Sequence, residues 1–106
     1  MACRVVWSQT AVEDLRQIVQ FIALDDAGAA ASLANRVLNR IERAAELPFS
    51  NRVVPEKAEE PIREVILRPY RVIYLVDDRR DAIHILRIWH AARGVPDLEC
   101  EQEGQC

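Results

Sequence analysis

The second half of this 106-residue chain gathers the side chains best suited to act on a phosphodiester: Arg63, Arg71, Arg87, His90 and Arg93. Cleaving such a bond without a metal needs cations to meet the charge that develops on the phosphate, and a group that carries the proton. Arginine and histidine can fill those roles. Tyr70 and Tyr74 could stack bases, as aromatic residues do in single-strand binders. The same residues also have a structural reading, with Arg71 at the rim of a sheet paired to Glu64 and His90 hydrogen-bonded at a strand end. Other chemistries find no support. Gly28, Gly94 and Gly104 make no phosphate-binding loop, no histidine–cysteine cluster has ligand spacing, and no Ser-His-Asp arrangement can be argued. No metal and no cofactor are expected.

These residues lie in a stretch, Ile62 to Arg93, that must position them. Runs rich in Ile, Val, Leu and Tyr are split by Arg68-Pro69 and by Asp77–Asp81. Short β-branched and aromatic runs bounded by turn residues predict strands, here an antiparallel meander of Ile62–Leu67, Tyr70–Val76 and Ala82–Trp89. Alternation puts residues two apart on one face. It groups Ile83, Ile85, Arg87 and Trp89 on one side and His84, Leu86, Ile88 and His90 on the other, the two histidines roughly 20 Å apart along the strand. Arg71, Ile73 and Leu75 share a face of the middle strand. Both faces read as apolar, whereas a sheet with one wet face alternates apolar with polar. The second face is therefore either covered by the chain itself or kept for a partner.

The preceding residues supply a cover. Cys3–Trp7 reads as a first strand. Thr10 with Glu13 fits a capping box, and Ser8 is a competing N-cap. Val12, Leu15, Ile18, Val19 and Ile22 then repeat at helical spacing until about Asp25-Asp26. Asp26 can cap a second helix over Ala27–Glu46, whose seam is Ala30, Ala34, Val37, Ile41 and Ala44. Arg36, Arg40 and Arg43 line one side of it, either as a solvated face or as a contact for an acidic or nucleic-acid partner. Ser50–Pro61 reads as a loop. The predicted fold is α+β: an N-terminal strand and an antiparallel αα-hairpin packed on a C-terminal antiparallel meander, in the order β-α-α-β-β-β.

Length and composition fit one domain over residues 1–96, followed by an acidic tail, residues 97–106, expected to be disordered in isolation. The formal charge of −3 is unevenly spread: about −4 in the tail, +3 over residues 62–96 and −2 before them. That is far from the basic footprint of a dedicated nucleic-acid binder. No run is long and apolar enough to cross a bilayer, and no signal peptide is apparent. With three cysteines, Cys3, Cys100 and Cys106, and no pairing pattern, reduced thiols in the cytoplasm are expected.

Several segments, in this order and spacing, resemble a known family. They are W-S-x-x-A-x-x-D-L-x-x-I-x-x-F-I at Trp7–Ile22, L-P at Leu47-Pro48, I-R-E-V at Ile62–Val65, R-P-Y-R-V-I-Y at Arg68–Tyr74 and I-L-R-I-W-H-A-A-R at Ile85–Arg93. Together, over about residues 4–96, they resemble the ParE/RelE superfamily of type II toxins, and more narrowly its ParE, or plasmid-stabilisation, branch. The resemblance implies a cognate antitoxin, which would rest on Ile73, Leu75, Leu86, Ile88 and Trp89, as a heterotetramer or beside a toxin homodimer. It implies one of two activities. ParE-like members inhibit DNA gyrase by binding and are not known as enzymes; Arg68, Arg71, Arg87 and Arg93 would then contact the target. RelE-like members are ribosome-dependent endoribonucleases that cut mRNA; Arg71 and His90, with Arg63 and Arg93 nearby, match positions that some of them use. Lys57 stands alone where those enzymes carry a lysine-rich cluster. That departure, and the long helical hairpin, favour gyrase. An inactive, antitoxin-binding member is the third reading.

Overall fold

A computed structural model describes residues 3–54 and 61–93. Strand β1 (Arg4–Trp7) leads into helix α1 (Gln9–Ala23) and helix α2 (Ala27–Glu46). Strands β2 (Arg52–Val53), β3 (Ile62–Leu67), β4 (Tyr70–Asp77) and β5 (Ala82–His90) follow, with single 3-10 turns over Asp78–Arg80 and Ala91–Arg93. One five-stranded sheet results, in the order β1-β5-β4-β3-β2. The meander pairs antiparallel, while β1 lies parallel to β5 at one edge. The element order is the one expected, with β2 added inside the segment read as a loop. Neither helix is long and apolar enough to cross a membrane, among the described residues. The acidic tail, Cys100 and Cys106 lie outside those residues.

Local chemistry sets the helix starts. Ser8, in extended backbone, accepts from Ala11 N–H at 2.9 Å, so Ser8 rather than Thr10 is the N-cap of α1. Asp26 accepts from Ala29 N–H at 3.0 Å and caps α2. Each cap satisfies a backbone donor that has no partner within its helix.

Ala11 of α1 and Leu33, Val37, Ile41, Ala44 and Ala45 of α2 pack on one face of the sheet with Val65, Leu67, Val72, Tyr74, Val76, Ile83, Ile85 and Ile88. This is the main core. On the opposite face a smaller cluster holds Val54, Ile62, Ile73 and Trp89, with Leu75 and Leu86 partly buried against it.

The expected grouping of β5 side chains is corrected here. Tyr74 pairs with Ile85, but the preceding residue, Ile73, pairs with Arg87. Leu86 is an extra residue, a β-bulge, and everything after it changes face. Ile88 joins the helix-facing core beside Ile83 and Ile85, while Arg87 and Trp89 stand opposite Ile73 and Arg71 on the outer face. His84 and His90 therefore do not share a face. Every residue from Ile85 to Ile88 except Arg87 is apolar, so either phase reads as a plausible strand and the slip leaves no local mark.

Candidate functional site

The bulge explains what the start of α1 is for. Strand β5 outruns β1, whose last pair is Trp7 with Ile85. Beyond that point α1 takes over along the edge. Ser8 N–H donates to Ile85 O (3.0 Å) and Ser8 Oγ donates to Leu86 O (3.1 Å). Asp14 Oδ2 accepts from Ile88 N–H (3.0 Å). The two Asp14 oxygens also hold Arg87, at 2.8 Å to Nε and 3.0 Å to Nη2. One serine and one aspartate thus satisfy the backbone groups that a bulged strand end would leave bare. Asp14 was missed as a site residue, although a signal exists: it lies three residues after buried Ala11 and four before Ile18, on the stripe that packs inward.

Arg87 begins a row of charges across the outer face. Its guanidinium lies 4.8 Å from the centre of the Trp89 ring. Trp89 is opposite Arg71 on β4, and Arg71 Nε donates to Glu64 Oε1 at 2.5 Å. On the far side Arg52 Nε, on β2, sits 2.6 Å from Glu64 Oε2. That second contact is an ion pair without an aligned hydrogen bond, so Oε2 is buried with no donor aimed at it. Glu64 is 1% exposed, Arg71 12% and Arg52 57%. A carboxylate withdrawn from water this fully has to be paired, and two arginines share the task. The row runs Arg52–Glu64–Arg71–Trp89–Arg87–Asp14. Three guanidiniums meet two carboxylates, a net excess of about one positive charge.

The other candidates for catalysis are not in this row. Arg63, opposite Tyr74, donates through Nη1 to Asn51 O (3.0 Å) and Phe49 O (3.3 Å), and its guanidinium stacks on Phe49 at 5.2 Å. It fastens the segment after α2. Tyr74 does the same from within the core. Fully buried, it donates to Pro48 O (2.7 Å) and accepts from Asn51 Nδ2 (3.1 Å), so it cannot stack a base. Burial pushes its hydroxyl pKa upward, against the smaller opposing effects of the Asn51 hydrogen bond and the Arg63 charge. His90 packs edge-on against Tyr70 at 5.2 Å, and its Nδ1 accepts from Ala92 N–H (3.1 Å). Arg68 is exposed at the β3–β4 turn. Arg93 closes the final 3-10 turn. Of the expected set, the fold brings together Arg71, Arg87 and Trp89, and takes Arg63 and His90 elsewhere. Among the described residues no group of His, Cys, Asp and Glu could hold a metal ion.

The apolar surface also lies elsewhere than expected. Ile73, Ile88 and Trp89 are buried, and on the outer face Leu75 and Leu86 are half-buried. The large exposed apolar side chains sit mainly on the hairpin and just after it: Phe21 (73%), Leu24 (81%), Val12, Leu38, Leu47 and Phe49. An open groove of about 530 Å³ runs beside α1 and β1, lined by Trp7, Val12, Leu15, Arg16 and Val19.

Comparison with known proteins fits this architecture. The model of the ParE toxin of the type II toxin–antitoxin system parDE matches residues 5–95. Toxin RelE2 of Caulobacter vibrioides is 36% identical over 91 residues, 85% of this chain and 97% of that protein. Among solved structures, a chromosomal ParDE toxin–antitoxin system from P. aeruginosa superposes with a TM-score of 0.67 at 18% identity, covering 84% of this chain and 96% of that one. The RelBE2 toxin–antitoxin complex of Mycobacterium tuberculosis gives a TM-score of 0.58 at 19% identity, covering 85% and 99%. At such identities the structural likenesses speak for the fold alone. The sequence matches carry the family: this chain belongs to the ParE/RelE superfamily, as a member of the ParE toxins of type II toxin–antitoxin systems.

Proposed function

We propose that this toxin acts by binding, with DNA gyrase as its target, and that it is not a nuclease. The observation that carries this reading is the state of the outer-face arginines. Arg71 is held by Glu64 and Arg87 by Asp14, while His90 and Arg63 are occupied in structural contacts on other parts of the sheet. Metal-free cleavage requires cations free to meet a phosphate and a proton carrier within hydrogen-bond reach of it. A face of paired charges around a buried tryptophan suits a protein surface better. The test is supercoiling of relaxed plasmid by gyrase. Stoichiometric amounts of the toxin should block it; gyrase that keeps working in excess toxin would end the proposal.

A cognate antitoxin restrains the toxin in this reading, within the cytoplasm. Structurally similar toxins have been solved in complex with antitoxins, that of RelBE2 from Mycobacterium tuberculosis among them. The apolar groove beside α1 and the exposed Phe21, Leu24 and Leu38 give such a partner its greasy contacts, with Leu75 and Leu86 available on the outer face. The relative named RelE2 favours a second reading, a ribosome-dependent endoribonuclease. It requires that Arg71 leave Glu64 when substrate arrives.

A further inference from the structure

We propose that the acidic segment after the sheet, Asp97–Glu103, docks on the arginine stripe of α2 and covers it. The inference does not depend on what the toxin targets. Arg36, Arg40 and Arg43 lie along one side of α2, with Arg36 and Arg43 exposed and Arg40 half-buried. On a helix they stand about 6 Å and then about 4.5 Å apart along the axis. Among the described residues none of the three has an ion pair, and Glu42 and Glu46 of the same helix form none with them. Most other described arginines are engaged: Arg52 and Arg71 by Glu64, Arg87 by Asp14, Arg80 by Asp77, Arg16 by Glu13 and Arg63 by backbone carbonyls. Like charges one turn apart repel, and an acidic ligand relieves that repulsion. The complement stands in the same chain. Asp97, Glu99, Glu101 and Glu103 occur at every second position with no base among them. In extended backbone such residues share a side and stand about 6.7 Å apart, close to the arginine spacing. The other acidic stretch, Glu56–Glu60, is a weaker match because Lys57 interrupts it. Reach is sufficient. Ala91 N–H donates to Pro69 O, so the chain leaves the sheet beside the β3–β4 turn, and α2 packs on β3. Residues equally far from the hairpin turn lie level, which sets Arg36 level with Asp14, the residue that holds Ile88 near the end of β5. Gly94 to Glu103 extends to at most about 35 Å, more than the 30 Å and 24 Å shorter axes of the molecule. The segment also lies beyond residues 5–95, so it is not part of the domain shared with the ParE toxins.

Paramagnetic broadening of amide resonances in the full chain tests this. A spin label is attached at Cys100, with Cys3→Ser and Cys106→Ser to make the site unique, and the reduced label serves as control. A short tether holds the segment at an effective concentration of about millimolar, so the amides of Arg36 to Arg43 should lose at least about half their intensity at low salt. The loss should vanish near 1 M salt, where the screening length falls to about 3 Å. Arg36→Glu, Arg40→Glu and Arg43→Glu together should abolish it. Adding Asp97→Lys, Glu99→Lys, Glu101→Lys and Glu103→Lys to that variant should bring it back, which a merely structural role for the arginines would not do. If the α2 variant does not fold, neutralising the segment alone, by Asp97→Asn with Glu99→Gln, Glu101→Gln and Glu103→Gln, leaves the domain untouched and should abolish the loss by itself. Unchanged intensities over Arg36–Arg43 would overturn the proposal. So would losses confined to Arg68 and the β3–β4 turn, which mean that the segment stays near its exit, or losses centred on the outer-face row of Arg52, Arg71 and Arg87. Broadening seen only when isotope-labelled and spin-labelled copies are mixed would overturn it in favour of contact between two molecules. Failure of the charge swap to restore the loss would overturn it as well. None of these readouts involves gyrase, so the binding reading above and this one stand or fall separately.

Discussion

The two faces of the sheet are built from the same strands yet solve different problems. The helix-facing side is a continuous apolar layer in which Val72, Tyr74, Ile83 and Ile85 are fully buried under α1 and α2. The outer side sets a small apolar cluster beside a row of ion pairs, Arg52–Glu64–Arg71 and Arg87–Asp14. Apolar packing tolerates repacking but not voids, and contributes mainly through area removed from water. Buried ion pairs add little net stability when intact, yet are costly to break from one side. The first face therefore carries most of the folding energy, while the second holds its charges in place by pairing them.

Substitutions that break this contrast should rank accordingly. Ile85→Ala, in the helix-facing core, should cost about 2–5 kcal/mol by urea unfolding, from lost transfer energy plus the cavity left behind. Asp14→Ala removes a bidentate partner from Arg87 and the acceptor of Ile88 N–H. It should cost about 1.5–3 kcal/mol, the range for hydrogen bonds to charged groups. A smaller cost would mean that the bulge holds itself without α1. Tyr74→Phe should cost about 1 kcal/mol near neutral pH, and it carries a pH signature. The folded-state pKa of Tyr74 is raised, so unfolded chains lose this proton first as pH climbs past the ordinary value of about 10. The contribution is complete below that value and is lost as pH rises through the folded pKa. Urea midpoints of the unaltered protein should therefore drop more steeply than those of Tyr74→Phe between about pH 9 and pH 11. At the small end, Phe21→Ser on the exposed hairpin should shift stability by no more than about 0.5 kcal/mol, while weakening capture by a co-expressed antitoxin. Full antitoxin binding by that variant would move the proposed contact off the hairpin tip.

Much of the scaffold was legible from local pattern. The bounds of β3 follow from the turn residues around Ile62–Leu67, and both helices begin where a capping side chain precedes a periodic apolar run. The pairing of Arg71 with Glu64 was readable because both stand on neighbouring strands. What failed depends on single residues acting at long range. Leu86 shifts the phase of β5 without interrupting its hydrophobicity, so Ile88 and His90 were placed on the wrong face. Asp14 looked like one of several polar residues on α1 until the β5 edge, more than seventy positions away in sequence, supplied its partners. Arg63 and Tyr74 read as functional because a basic and an aromatic residue near a sheet suggest nucleic acid. Their use in tying down Pro48–Asn51 appears only in three dimensions. A phase shift and a distant partner are what periodicity cannot express.

The claim that the outer-face cations are already committed is tested most directly by incubating the purified toxin with ribosomes carrying a defined mRNA and mapping its ends by primer extension. Full-length message is expected at toxin concentrations that stop gyrase. New 5′ ends within the codon occupying the ribosome would contradict it, because they require Arg71 and its neighbours to be free to act on a phosphate.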